Sequence, residues 1–230
     1  IDRKAFQRFN GMMVVPGAIG AWRTNAVLEA GIFSSETLTE DADMTMSLIR
    51  SGYKVVYEDR AIAVTEVPGK IRSLMEQRLR WSLGMLQSAW KHRNAIRERK
   101  ALGVISLTDL LIFGYLMPLL APVADLFAVV LVASLLHDVW FVGPAELDLL
   151  SSPELFALIC LPVVEILIAV IAIRRDPNES LFLLFYLPFQ KFFLRQILYI
   201  SVFRALWRAA TGSLARWGKQ TRFGFASGEV

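Results

Sequence analysis

Two short clusters of polar residues in this sequence could do chemistry. The first is Thr39-Glu40-Asp41, inside TLTEDADMTMSLIRSGY. A carboxylate beside a hydroxyl can take its proton as the hydroxyl attacks an electrophilic carbon. At the start of a helix the dipole keeps that carboxylate ionised, so it stands ready as a base, though a weak one. The same residues also read as a plain helix start, with Thr39 as N-cap and Glu40, Asp41 and Asp43 as first-turn acids. The second cluster is Gln77-Arg78-Leu79-Arg80-Trp81. On a helix Gln77, Arg80 and Trp81 fall at i, i+3 and i+4 and project from one side. Arg pairs with diphosphate oxygens, Trp stacks on a sugar ring and excludes water, and Gln holds a hydroxyl or phosphate oxygen. The competing reading is a basic interfacial helix, in which Arg meets lipid phosphate and Trp sits at headgroup depth.

The elements that must position these clusters follow from the surrounding pattern. Residues 12–15 form an apolar run that reads as a buried strand, broken by Pro16-Gly17. Thr24 or Asn25 caps a short helix over residues 26–30, and Gly31 stops it. Residues 41–51 read as a second short helix ended by Gly52, with Ala42, Met46 and Ile49 on one face. Residues 54–57 and 61–65 look like short strands, and the alternation indicates an α/β lobe. The strands are too few for a complete sheet, and the chain opens Ile1-Asp2-Arg3 without Met. Both features lead us to expect a preceding part. Pro68-Gly69 introduces a long helix over residues 71–93. Met75, Leu79, Leu83, Leu86 and Trp90 make its apolar stripe, and Arg72, Arg78, Arg80, Lys91 and Arg93 line the rest. Such a helix lies in a membrane interface or packs on the soluble lobe, and the apolar region after it favours the interface.

The 230 residues are 55% hydrophobic, with a mean hydropathy of +0.46, too apolar for an ordinary soluble domain. No Lys or Arg occurs between Lys100 and Arg174. The net charge of +4 is modest and the basic residues flank apolar runs, which excludes a basic nucleic-acid binder and suits membrane anchors. The single cysteine, Cys160, excludes an intramolecular disulfide and a cysteine metal cluster. Residues 107–136 read as an interfacial or kinked first part leading into one span, 118–136. The acidic loop 137–154 carries no Lys or Arg, which fits the outer side. Residues 155–173 read as a second span containing Glu165, with Arg174-Arg175 holding its cytoplasmic end. Residues 181–207 are equivocal, interrupted by Gln190, Lys191, Arg195 and Gln196. A re-entrant or interfacial element there leaves the basic tail 204–222 cytoplasmic. Glu165, Lys191 and Arg195 either line a polar conduit, pair with one another or snorkel. His92 and His137 read as surface residues.

TED followed by QRLRW and then a membrane region resembles the processive family 2 glycosyltransferases, which include cellulose, chitin, hyaluronan and poly-N-acetylglucosamine synthases. The match runs over about residues 11–93. Its wording, VVPGAIGAWR…LTEDADMTMSLIRSGYKVVYEDRA…EQRLRWSLGMLQSAWKHR, looks most like the bacterial poly-N-acetylglucosamine or chitooligosaccharide branch. The resemblance implies an α/β fold: residues 1–102 as the C-terminal part of a GT-A catalytic domain, 103–210 as transmembrane and interfacial helices, and 211–230 as a basic cytoplasmic tail. It implies that Asp41 is the catalytic base, with Thr39 and Glu40 near the acceptor end. Gln77, Arg80 and Trp81 match the motif that binds donor diphosphate and acceptor sugar, and Gly17-Ala18 falls in a segment that lines the acceptor site. The family's uridine-binding Asp and its D-x-D metal ligands have no counterpart here, because Asp41-Ala42-Asp43 belongs to the TED helix. A divalent cation, magnesium in the family, is implied for the full enzyme and has no ligands in this stretch.

The expected partners are a UDP-sugar donor, UDP-N-acetylglucosamine, a polysaccharide acceptor and the lipid bilayer, with no nucleic acid. The expected location is the cell inner membrane, multi-pass, with the catalytic lobe cytoplasmic. Two other readings stay open at this point: a non-processive family 2 transferase acting on a lipid acceptor, and a non-catalytic membrane transporter or scaffold.

Overall fold

A computed structural model describes residues 2–141, 153–175 and 179–212. The chain divides into two compact units, Ile1–Leu119 with Ile200–Val230, and Leu120–Tyr199. The first unit opens with the helices α1 (Asp2–Arg8), α2 (Thr24–Glu29), α3 (Glu40–Arg50) and the long α4 (Ile71–Lys91). A single tight turn, Arg93–Ile96, follows α4.

The helix boundaries follow the punctuation in the sequence. Gly31 and Gly52, just past α2 and α3, take positive φ of 96° and 94°, the left-handed stop that glycine adopts without a Cβ penalty. α3 turns an almost continuous apolar surface inward: Ala42, Met44, Met46, Leu48 and Ile49 are all buried. Met46 and Ile49 join Met12, Val55, Ala89, Ala95, Leu102 and Leu107 in the main core. Met44 and Leu48 pack with Ala26 of α2 in a smaller one. On α4, Leu79 and Leu83 are buried with Ala205, whereas Trp90, expected on the same stripe, is exposed.

The three expected strands are not regular strands. Among the described residues no strand ladder forms, and residues 12–15, 54–57 and 61–65 run as non-helical chain. For the first two the physical reason lies in what satisfies their backbone. The Asn10 amide donates to the Tyr53 carbonyl at 2.9 Å and accepts from the Val55 N–H at 3.0 Å. The Gln7 side chain accepts from the Tyr57 N–H at 2.7 Å, and the Thr45 hydroxyl accepts from the Val15 N–H at 2.9 Å. Side chains occupy ladder positions that a neighbouring strand would take. The α/β expectation is therefore not realised as a sheet in these residues.

A continuous helical stretch runs from Leu102 to Phe141 over 40 residues. It comprises wide i→i+5 turns at Leu102–Leu107 and Ile112–Leu116, the short α5 (Thr108–Leu111) and the regular α6 (Met117–Phe141). The expected distinction between a first part and a span at residue 118 falls where the wide turns give way to α6. α7 (Pro153–Arg174) covers the residues expected as a second span, and Cys160 on it is free. The equivocal region is a second continuous helical stretch, Leu181–Thr211, of 31 residues. It begins with a tight turn, Leu181–Tyr186, continues through α8 (Leu187–Phe189) and a wide turn, Gln190–Leu194, and ends in α9 (Arg195–Thr211). Residues 142–152, most of the expected acidic loop, and 213–230, most of the expected basic tail, lie outside the described residues.

Leu102–Phe141 and Leu181–Thr211 are long and apolar enough to cross a membrane, and their most apolar windows contain no buried residue. A core helix of a soluble protein hides that surface, so these stretches suit a lipid environment. In the second unit the polar interruptions pair with one another. Lys191 Nζ lies 3.3 Å from Glu165, and Arg195 pairs with Asp125, which also accepts from Gln196 at 3.1 Å. Glu165 and Lys191 thus pair with each other, whereas Arg195 takes Asp125 as its partner.

Candidate functional site

Asp41 sits in the first turn of α3, below the Pro16–Ile19 turn. That turn is closed by the Ile19 N–H donating to the Pro16 carbonyl at 3.1 Å. Gly17 and Ala18 are exposed at its tip. The Gly17 N–H donates to Asp41 Oδ2 at 3.1 Å, and the Ala42 N–H donates to Oδ1 at 2.9 Å. Both oxygens therefore accept from N–H donors at a helix N-terminus. Thr45, fully buried, holds this corner from below. Its hydroxyl donates to the Asp41 carbonyl at 2.6 Å and accepts from Val15. Asp41 is thus tied through both backbone and side chain, and its half-buried carboxylate stays within reach of solvent.

Thr39 occupies the N-cap position of α3, but its hydroxyl makes no capping bond. It pairs instead with Ser88 Oγ on α4 at 3.2 Å. The expectation of a side-chain N-cap is corrected on this point: the threonine joins two helices. Glu40 is half-exposed beside it.

α4 docks on this segment through one face. Gly84 lies against Thr39, and an added Cβ there would stand 2.6 Å from Thr39 Cγ2 and 2.9 Å from its backbone nitrogen. Three residues on, Gln87 Oε1 accepts from the Leu38 N–H at 3.0 Å. Further along, Lys91 Nζ lies 2.8 Å from both Glu36 and Asp43. His92 Nε2 lies 2.7 Å from Asp43 Oδ1, with both side chains buried. At 100° per residue, Gly84, Gln87, Ser88, Lys91 and His92 form one stripe, and Gln77, Arg80 and Trp81 continue it toward the helix N-terminus. Gln77, Arg80 and Trp81 therefore lie in line with the docking face, with Arg80 one turn before the Thr39 junction.

Trp81 is 42% exposed, and the Arg78 guanidinium lies 4.8 Å from its ring centre. One face is thus backed by a cation, which holds the ring orientation. Arg78 Nε is buried with no hydrogen-bond partner among the described residues. An apolar cavity of about 690 Å³ lies along the C-terminal half of α4, lined by Leu86, Trp90, Arg93 and Arg208. None of Gln77, Arg80, Trp81 or Asp41 lines it, so it is separate from this site.

His92 departs from the sequence expectation. It is 3% exposed and belongs to the docked seam, while His137 is exposed as expected. Asp43 is also more than a first-turn acid. Burial pushes its carboxyl up, but the hydrogen bonds from His92 and Lys91 outweigh that and hold it below its ordinary range. Burial likewise lowers Lys91, and its bonds to Asp43 and Glu36 leave it raised on balance. The signal for the seam was present as a glycine inside an otherwise strong helix, followed by polar residues at i+3, i+4, i+7 and i+8.

The carboxylates do not fit a divalent cation. Asp41 directs its oxygens to two N–H groups, Asp43 directs its own to His92 and Lys91, and no cluster of three or more ligating side chains occurs among the described residues. Asp41-Ala42-Asp43 therefore does not act as a D-x-D pair, because its two carboxylates point into different networks.

The structure thus sets a carboxylate beside an exposed turn, with an amide, a cation and an aromatic plane on the helix docked to its segment. Residues 1–207 match the sequence profile of Glycosyl transferase family group 2, and the chain belongs to that family. It is 35% identical over 82 residues to probable glucomannan 4-beta-mannosyltransferase 1 of Arabidopsis thaliana, covering 36% of this chain and 14% of the relative. It is 35% identical over 80 residues to glucomannan 4-beta-mannosyltransferase 1 of Oryza sativa subsp. japonica, covering 35% and 14%. It is 37% identical over 71 residues to cellulose synthase 2 of Novacetimonas hansenii, covering 31% and 4%. The resemblance to processive, cellulose-synthase-like family 2 enzymes thus stands. The matched stretch spans about a seventh or less of each of these relatives. No solved structure matches the chain.

Proposed function

We propose that this chain is the acceptor-side and membrane portion of an inverting transferase that adds hexosyl units from a nucleotide sugar to a growing polysaccharide. The observation that carries the reading is the joint placement of Asp41 and QRLRW. The carboxylate is oriented beneath the Pro16–Ile19 turn by the Gly17 N–H, and the face of α4 that bears Gln77, Arg80 and Trp81 docks two residues away, on Thr39.

Asp41 Oδ2 takes the proton of the acceptor hydroxyl as that oxygen attacks the anomeric carbon from the side opposite the leaving diphosphate. The Gly17 N–H orients the carboxylate, and Gly17-Ala18 with Thr39 and Glu40 frame the acceptor end. Arg80 stabilises the charge that develops on the leaving diphosphate. Trp81, backed by Arg78, supplies a platform for the acceptor sugar, and Gln77 holds a hydroxyl or phosphate oxygen. Donor binding and any divalent cation belong to parts of the enzyme beyond these residues.

The names of the relatives favour a neutral hexose, glucose or mannose, as the transferred sugar. The wording of residues 11–93 is what favours N-acetylglucosamine. We place the catalytic lobe on the cytoplasmic side of the inner membrane, with residues 103–210 guiding the polymer outward. The test is to incubate membranes containing the full-length enzyme with each radiolabelled nucleotide sugar and to size the product. A ladder of long chains from one donor is the expected result. A single addition to a lipid, or no transfer from any donor, would overturn the reading.

A further inference from the structure

The buried seam between α3 and α4 contains more charge chemistry than packing requires. Asp43 is two residues after Asp41, on the inward side of the same helical turn, and is 2% exposed. His92, equally enclosed, meets it from the C-terminal end of α4. On its other side His92 Nδ1 lies 3.2 Å from Arg50 Nη1. A guanidinium only donates, so Nδ1 must accept. The histidine is therefore neutral, with its proton on Nε2 and donated to Asp43 Oδ1. Lys91 donates to the other Asp43 oxygen, and Arg50 is anchored by Glu98 through its Nε at 3.0 Å. The order Glu36, Lys91, Asp43, His92, Arg50, Glu98 is one continuous chain of acceptors and donors.

We propose that the Asp43–His92 pair is a positioning device for the candidate base. It fixes the first turn of α3, and with it Asp41, in register with the face of α4 that carries Gln77, Arg80 and Trp81. Neither residue can touch a substrate, since both are enclosed and both Asp43 oxygens are occupied. Their influence reaches the reaction through the rotation and axial position of α3. A helix that slides or turns by about 1 Å moves the base off the acceptor hydroxyl, a misplacement that costs on the order of a hundredfold in rate. The inference rests on the reading of Asp41 as the base.

The neutral tautomer suggests a discriminating substitution. A glutamine at position 92 can donate through its amide nitrogen to Asp43 and accept through its carbonyl oxygen from Arg50, as the imidazole does. A leucine there can do neither. The experiment uses the full-length enzyme in membranes and measures kcat and the donor KM for His92→Leu, His92→Gln and Asp41→Asn. We expect His92→Leu to lower kcat about a hundredfold with the donor KM unchanged, and His92→Gln to restore most of it. Wild-type kcat in His92→Leu overturns the proposal. So does a His92→Gln variant as impaired as His92→Leu, and so does a parallel loss of folded protein in both, which would make the pair a stability element only. Asp41→Asn separates the two levels. If it retains turnover, the base assignment fails. If it is inactive while His92→Leu is fully active, the positioning role alone fails.

Discussion

At the scale of single residues, the site depends on side chains that were visible in the sequence and on a few that were not. Asp41, Gln77, Arg80 and Trp81 were legible only through the pairing of TED with QRLRW, because each cluster alone also reads as a plain helix start or an interfacial helix. Thr45 was not, since a threonine inside an apolar helix looks like packing. Its hydroxyl nevertheless joins the Asp41 carbonyl to the Val15 N–H. Thr45→Val keeps the shape and removes the hydroxyl, leaving a part-buried N–H unpaired at a cost of about 1–3 kcal/mol. Thermal unfolding of the purified enzyme should register that loss, accompanied by a fall in kcat. An unchanged melting temperature would show that Val15 finds another partner. His92 was misread for the same reason that Thr45 was missed: a basic run on a helix end gives no sign of which member turns inward.

At the scale of elements, helix positions were legible and strand character was not. Period and glycine stops placed α2, α3 and α4 within a few residues of where they lie. Residues 12–15, 54–57 and 61–65 have strand composition, but a strand is defined by its neighbour, and along the first two segments Thr45, Asn10 and Gln7 side chains stand in that place. The α3–α4 seam yields two predictions. Gly84→Ala puts a methyl group against Thr39, including its backbone nitrogen, so α4 must shift. The expected cost is about 1–3 kcal/mol, with reduced transfer, measurable by thermal unfolding and an activity assay on one preparation. The second concerns pH. Asp43 is held below its ordinary value of 3.8, so the stability it contributes is complete above that pH and lost as pH falls through the folded value. Lys91 is raised above 10.5, so its contribution is complete below that pH and lost as pH rises through its folded value. Tryptophan fluorescence, reporting from Trp81 and Trp90 on α4, should show the seam loosening below about pH 4, and Asp43→Asn should flatten that acid limb. An unaltered acid limb in the variant would show that Asp43 is not its source.

At the scale of the whole molecule, composition announced a membrane protein and the two long apolar helical stretches agree. The polar residues within the second unit form pairs rather than an open row of charges. If Glu165 and Lys191 matter as a pair, Glu165→Gln combined with Lys191→Met should accumulate in membranes better than either single variant, because each single change strands one charge. Equal accumulation of all three would argue that the charges are hydrated independently. The central claim is that Asp41 is the base of a polymerising glycosyltransferase. Its most direct test is Asp41→Asn in the full-length enzyme, with donor binding and polymer formation measured on the same preparation. The amide still accepts from Gly17 but takes up no proton. The account predicts transfer reduced by on the order of a hundredfold or more while the nucleotide sugar still binds. Polymer formed at the wild-type rate would contradict it.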